Sequence, residues 1–468
     1  MRKAAVLVST AVVVLAGTGA PGALAGAAGK AAADAATQAQ ARDILGRSVA
    51  FRTVKGQGQT VAYANYLAGL LRQAGFAEAD ITITPMGDTA TFVARYRGTG
   101  KKKPILVSAH MDVVEAFPKD WERDPFTMTA DNGYLFGRGV EDNKFDLSMV
   151  MATVLRLKRE GFKPSRDIVL VFSGDEETEM KTTRALATQF PDAELLLNSD
   201  GGGGSLAEDG KPIGYYLQAA EKTYADFAIT VTNPGGHSSV PRKDNAIYEL
   251  AQAIDRIAAY EFPVQASELT RASFRATARN TPGDLGAAMT RFADNPDDKQ
   301  AVATIAAHPE YVGQLRTTCV ATMLSGGHAL NALPQSATVS VNCRIFPGVA
   351  VESVRQTLAQ VIANPAAKVV TLDDPTASDA SPLRKDVTAA VRKAVDRVYP
   401  GLNIIPSMSS GATDSLHFRA AGIPSYGVSG LYAKASDGYA HGLNERVAEA
   451  ALAPALDHWH TVLTELAK

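Results

Sequence analysis

The hydrophobic pattern along the chain changes period several times, and each change marks an element. Residues 168–172 are a continuous apolar run, 104–109 is apolar but for Ser108, and 194–198 reads as a further strand around Leu195-Leu196-Leu197, the pattern of strands buried on both faces. Around them the period is helical. Val61, Ala64, Leu67, Ala68 and Leu71 recur at helix spacing over 60–74, and Gly75 supplies the stop. Gly137-Arg138-Gly139-Val140-Glu141-Asp142-Asn143-Lys144 opens a second helix, with Phe145, Met149, Thr153, Val154 and Leu157 turned inward. Shorter strand-like stretches lie at 81–84 and 91–97. Strands alternating with helices predict an α/β unit with a mostly parallel sheet.

Near Glu221 the pattern changes. Residues 226–232 alternate like an antiparallel strand, and a helix follows at 244–258 with Ile247, Leu250, Ala251 and Ile254 inward. Strands at 316–324 and 337–346, a helix carrying Val351, Val354, Leu358 and Val361, and a strand at 369–372 complete the order βαββαβ. That is the split ferredoxin-like unit. Residues 260–315 exceed it; they are helical in pattern and mixed in charge. Residues 373–382, rich in Pro, Asp and Ser, read as a return linker, after which the α/β pattern resumes with a helix at 383–398 and a strand at 424–428. The expected organisation is a leader at 1–25, a first α/β part at 40–221, an inserted domain at 222–375 and a second α/β part at 376–468.

Composition narrows the picture. The 468 residues are 46% apolar and 21% charged, with a formal net charge of −2. No basic stripe stands out, so nucleic-acid binding has no compositional support. Arg2 and Lys3, the apolar stretch Ala4 to Ala16 and Ala23-Leu24-Ala25 form an export leader cleaved after Ala25. The stretch is too short to span a bilayer comfortably, and no cysteine follows it to carry a lipid. A periplasmic or secreted protein with no membrane attachment after cleavage is expected, with Ala/Gly-rich residues 26–40 unstructured. Cys319 and Cys343, the two cysteines, sit in strand-like runs; a disulfide and two buried thiols are both open.

The chemistry gathers where strands end. The run at 168–172 stops at Ser173-Gly174-Asp175-Glu176-Glu177, and 104–109 runs into His110-Met111-Asp112. The run at 194–198 leads to Asp200; Asp142 stands at the turn before a helix, and His441 lies near the C-terminus. In open α/β sheets ligands bind beyond the carboxyl ends of the strands. Imidazole and carboxylate are the ligands of zinc, and paired metals clamp a reacting group from both sides. Singly, each residue has an ordinary explanation: His110 as a structural histidine, Asp142 as a helix cap, Asp200 as a turn residue. Their joint placement is what those explanations account for poorly.

Eight ordered motifs resemble the M20 metallopeptidases, with the carboxypeptidase S-like branch nearest in character. They are Ser-Ala-His110-Met-Asp112, Gly-Arg-Gly-Val-Glu-Asp142-Asn-Lys, Ser-Gly-Asp-Glu176-Glu177, Asn-Ser-Asp200, Gly-Gly-His237-Ser-Ser, Asn331-Ala-Leu-Pro, Asn-Cys-Arg344-Ile-Phe-Pro-Gly and Ala-His441-Gly-Leu-Asn-Glu. The resemblance implies a zinc-hydrolase catalytic domain with an inserted lid or dimerisation domain, and a homodimer. It implies two divalent ions bridged by Asp142, one completed by His110 and Asp200, the other by Glu177 and His441. Zinc is the default, with cobalt or manganese as alternatives. Glu176 would be the general base, pointing away from the ligands, and Asp112 would orient His110. His237 would polarise the scissile carbonyl in a neighbouring subunit's site, while Asn331 and Arg344 would contact substrate. The Asp142-Asn143 peptide would be cis. Asn143 and Phe145 stand where many relatives carry Asp and Gly. The implied activity is an exopeptidase on short peptides with a free C-terminal carboxylate; an N-acyl amino-acid deacylase is the alternative.

Overall fold

A computed structural model describes residues 33–468. The expected leader and its cleavage point lie outside the described residues. Order begins earlier than the sequence pattern suggested. A helix spans Ala35–Ala50, capped by Asp34, whose carboxylate accepts the Thr37 N–H at 2.6 Å. Ala41, Ile44, Leu45 and Val49 on its inner face are buried, and the helix packs on Lys144–Arg159 and Leu452–Ala467. The Ala-rich stretch from Ala33 on is therefore structured, because it has core to cover.

The central sheet has ten strands. At its middle lie these three strands, Ile168–Ser173, Ile105–His110 and Leu195–Asn198, joined in parallel and followed in parallel by Ser425–Gly427. Every residue of the first three is buried, the burial on both faces that their composition anticipates. Antiparallel pairs extend the sheet on both sides: Ile81–Met86 with Thr89–Tyr96, and Gly203–Leu206 with Pro212–Glu221. The Pro212–Glu221 strand escapes the sequence pattern because its exposed start and wholly buried end follow no single period.

A second sheet, all antiparallel, runs in the order Thr318–Gly326, Ser336–Ile345, Thr223–Thr232, Lys368–Leu372. Helices Ala246–Ala259 and Val351–Ile362 pack on it around Phe227, Ile229, Val231, Val339, Val341 and Leu358. The first helix is turned differently from the expected face. Ala246, Leu250, Ala253 and Ile257 are buried, while Ile247 is 44% exposed. The alanines allow close approach to the sheet, and the bulkier stripe is left over a groove shared with Leu324, Ser325, Gly326 and Ala337.

The excess segment is helical, as its pattern indicates: Glu268–Thr277, Gly283–Asp294, Lys299–Ala306 and Pro309–Leu315. It has a core of its own in Phe274, Met289, Phe292, Ile305 and Leu315. It docks on the central sheet, not on the second one. Glu268–Thr277 packs against Ile404–Ser409, and Asn280 Nδ2 and Gln314 Nε2 donate to the carbonyls of Ile213 and Met408 at 2.8 and 3.0 Å.

Cys319 and Cys343 face each other in register and are disulfide-bonded. Among the described residues no helix is long and apolar enough to cross a membrane. Opening the disulfide with dithiothreitol, or replacing both cysteines by alanine, is expected to cost about 2–4 kcal/mol of stability. Urea unfolding with and without reductant measures this. Alkylation of the unreduced protein should label no thiol.

Candidate metal centre

Parallel register sets the edge of the site. His110 lies opposite Ser173, and Ser108 opposite Asn198, so the three central strands stop together. The segments that follow them carry Asp112, Glu176, Glu177 and Asp200. Asp142 comes from the turn before Lys144–Arg159, and His441 from the loop ahead of Arg446–Ala448.

These side chains converge. Asp142 stands in the middle: its Oδ1 is 2.8 Å from His110 Nε2 and its Oδ2 3.2 Å from His441 Nε2. The Glu177 carboxylate is 3.0 Å from the same His441 nitrogen. His110, Asp142 and Glu177 offer ligand atoms within 4.8 Å of one another, and so do His110, Glu176 and Asp200. Glu176 thus faces the cluster and not away from it. The two glutamates lie in a turn, where successive side chains no longer alternate as they do along a strand.

Buried acceptors hold this arrangement through the backbone. Asp112 accepts the N–H groups of Glu176 and Glu177 at 3.1 and 3.0 Å, one on each carboxylate oxygen. Its carbonyl lies 3.0 Å from His110 Nδ1, so it also fixes the imidazole. Asn198 Oδ1 accepts the Asp200 N–H at 3.0 Å. The Asp142-Asn143 peptide is cis, as the resemblance implies. Glu445 escaped the sequence reading. Its fully buried carboxylate accepts the N–H groups of Gly139, Glu141 and Asp142 at 3.0, 2.8 and 3.1 Å and pairs with Arg138 at 2.6 Å. The available signal was a pair of opposite charges, Arg138 ahead of Asp142 and Glu445 behind His441, inside two motifs already marked.

The electrostatics require positive charge. Burial, with neighbouring carboxylates, holds Glu176 and Asp200 well above the usual carboxylate range, although His110 opposes the shift. Burial likewise pushes nearby Asp414 up to about 6. Burial opposes it, but hydrogen bonds from His110 and His441 hold Asp142 below its ordinary value. His441 is pushed up to about 10 by its hydrogen bonds to Asp142 and Glu177. His110 lies well above its usual value because hydrogen bonds to Asp112 and Asp142 outweigh its burial. Among the described residues no lysine or arginine pairs with Asp142, Glu176, Glu177 or Asp200. Four carboxylates and two imidazoles with no lysine or arginine among them are a donor set suited to divalent metal, and His110, Asp142 and Glu177 on one side and His110, Glu176 and Asp200 on the other offer the ligand atoms.

The other three candidates lie on the inserted unit. His237 pairs with Ala332 in a two-stranded ladder, and the Ser238 N–H donates to the Asn331 carbonyl at 3.0 Å, so His237 and Asn331 are neighbours. Arg344 lies over the Tyr224 ring at 4.7 Å and donates to the Ser410 carbonyl at 2.7 Å. Among the described residues no hydrogen bond or ion pair joins these three to the cluster.

A model of peptidase family M20/M25/M40 matches residues 106–465. Over 333 residues, 68% of this chain and 62% of the relative, the sequence is 26% identical to a probable carboxypeptidase S-like 2 from Dictyostelium discoideum; the chain thus spans under two thirds of that protein. It is 25% identical over 364 residues to the N-fatty-acyl-amino acid synthase/hydrolase PM20D1.1 of Danio rerio, covering 74% and 69% of the two chains. In fold it is similar to the M20 family metallo-carboxypeptidase Sso-CP2 from Sulfolobus solfataricus, with a TM-score of 0.67, 18% identity and coverage of 91% and 98%.

The shifts set a pH dependence for the metal-free protein. The raised His110 and His441 stabilise the fold fully below their unfolded value near 6.5, and His441 loses that contribution as pH rises toward about 10. Glu176 and Asp200, raised in the fold, oppose folding as pH rises above their ordinary values of 4.5 and 3.8. Lys144, lowered by burial to about 7, and Lys222, lowered to about 8, push the other way in both forms of the protein, so the cluster is read from the difference: the gain in melting temperature on metal loading should widen from pH 5.5 to 8.5, because metal competes with protons for the same atoms. Calorimetric scans of both forms measure it.

Proposed function

Because the chain belongs to peptidase family M20/M25/M40, a family of metallo-hydrolases of peptide and amide bonds, we propose that this member is an exported two-metal exopeptidase. It cleaves short peptides beside a free C-terminal carboxylate. The observation that carries the proposal is Asp142, which turns one carboxylate oxygen to each of two imidazoles. Asp142, His110 and Asp200 would hold one ion, and Asp142, Glu177 and His441 the other. Zinc is the default occupant, and cobalt or manganese suits the same ligands. When bound, the ions supply Lewis-acid polarisation and lower the pKa of water.

The chain's own residues do the rest. Glu176 takes the proton of the attacking water and passes it to the leaving amine. Asp112 holds both the Glu176 backbone and the His110 ring, so that base and ligand share one support. His237 donates to the developing oxyanion. Asn331 binds substrate beside it, and Arg344 receives the substrate carboxylate as a planar fork, its guanidinium already oriented on Tyr224. A deacylase of N-acyl amino acids uses the same residues with a different acyl pocket. The Danio relative's name favours that alternative, and both products carry the carboxylate that Arg344 would read.

His237 is proposed to act across a homodimer. The edge strand Thr318–Gly326 leaves Val320, Met323 and Leu324 exposed by 58, 72 and 69% beside the Ile247 groove, an apolar edge that a second copy would cover. Export is supported by the leader, by the Cys319–Cys343 disulfide, and by periplasmic or secreted proteins being where disulfides persist.

Glu176→Ala should lower kcat about 10²–10⁴-fold with metal content, read by mass spectrometry, unchanged. Loss of metal in that variant would make Glu176 a ligand instead. A panel of dipeptides and N-acyl amino acids on metal-reconstituted protein separates the two substrate classes; turnover of acyl substrates alone would overturn the peptidase assignment. Met323→Glu with Leu324→Glu should yield monomers by sedimentation and a matching loss of activity. A fully active monomer would remove His237's action in trans.

A further inference from the structure

The turn that carries Asp142 has little regular structure to hold it. It follows the short strand Tyr134–Phe136, runs through Gly137 and Gly139, and contains the cis Asp142-Asn143 peptide before Lys144–Arg159 begins. Gly139 has φ of +86°, and a Cβ there would meet Val113 Cγ1 at 2.8 Å, so the backbone passes through a space only glycine fits. The turn makes its own bond from the Lys144 N–H to the Gly139 carbonyl at 3.0 Å, and much of what else fixes it comes from outside.

The Arg138 N–H on the Pro125 carbonyl at 2.7 Å and the Ser199 hydroxyl on Asn143 at 2.9 Å supply part of it, and one carboxylate gathers the rest. Glu445 Oε1 accepts the N–H groups of Glu141 and Asp142, and Oε2 accepts that of Gly139 and the Arg138 guanidinium. Arg138 Nη2 also donates to the Gly442 carbonyl at 3.1 Å, and the Gly137 N–H donates to the Glu445 carbonyl at 3.1 Å. The segment from His441 to Glu445 therefore does two things at once. Its first residue faces Asp142 and Glu177 through Nε2, and its last holds the amide of Asp142. A shift of either end moves both.

We propose that Glu445 is the positioning residue of the metal pair: it sets the Asp142 backbone so that one carboxylate reaches both halves of the site, and ties that setting to His441. The proposal rests on the two-metal assignment of the cluster. A merely structural Glu445 would stabilise the turn without governing how the ions are joined.

The test uses the full chain, stripped of metal and titrated with Mn²⁺ and with Zn²⁺. Wild-type protein should bind two ions per chain, and the Mn²⁺ pair should give a spin-coupled electron paramagnetic resonance spectrum. Glu445→Gln keeps the size and removes the charge that balances Arg138; Glu445→Asp keeps the charge and shortens the reach. Each should weaken metal binding about 10–100-fold. Each should also convert the coupled spectrum to that of separate ions, while circular dichroism of the metal-free protein stays native. Two coupled ions with wild-type affinity in a folded variant would overturn the proposal. Should neither variant fold, amide exchange in metal-free wild type decides: the Glu141 and Asp142 N–H groups must be protected to the level of the central strands, and free exchange there overturns it. Fewer than two ions in wild type would instead refute the two-metal assignment.

Discussion

Like charges gathered in a dry place are the constraint on which the rest of this structure depends. Asp142, Glu176, Glu177 and Asp200 meet at the end of a sheet whose central strands are wholly buried, and nearby Asp414 is itself fully buried. Such a group is unfavourable unless cations or donors meet each carboxylate. No lysine or arginine among the described residues does so. The fold answers with backbone N–H groups for the supporting acids and imidazoles for the central one, leaving the remaining negative charge for ions from solution.

This division explains why two kinds of carboxylate surround the site. Asp112 spends its oxygens on main-chain N–H groups, and Glu445 spends its own on three of them and the Arg138 guanidinium. Among the described residues no main-chain N–H donates to the carboxylates of Asp142, Glu177 or Asp200, and Asp142 and Glu177 meet imidazole. The committed acids shape the loops, and the uncommitted ones hold the charge. Substituting one kind for the other would leave either a floppy turn or an ill-fitted ion.

The three central strands could be read from sequence because strands buried on both faces carry few polar residues before their ends. That placed His110, Glu177 and Asp200 on one edge before any coordinates. Other features had no such signature. Pro212–Glu221 changes from exposed to buried along its length, and the inner face of Ala246–Ala259 is chosen by alanines that periodicity ranks below Ile247 and Ile254. Glu445 was visible only as the last letter of a motif, since a carboxylate that binds backbone leaves no spacing rule behind. The sequence also separated Glu176 from the ligands, a distinction of chemistry that the turn geometry does not make; both glutamates face inward.

The four helices between Glu268 and Leu315 have a mechanical consequence. The chain leaves the central sheet near Lys222 and returns after Leu372, two crossings of a single joint. A body hung on two neighbouring threads rocks freely about them. Here the intervening helices bind the outer strand Ile404–Ser409, and Lys222 Nζ donates to the Arg316 carbonyl at 2.8 Å across the same joint. The second sheet is thus tied to the central one at a third place, through the helices that pack on Ile404–Ser409 and the Lys222 bond, and not by its two chain ends alone.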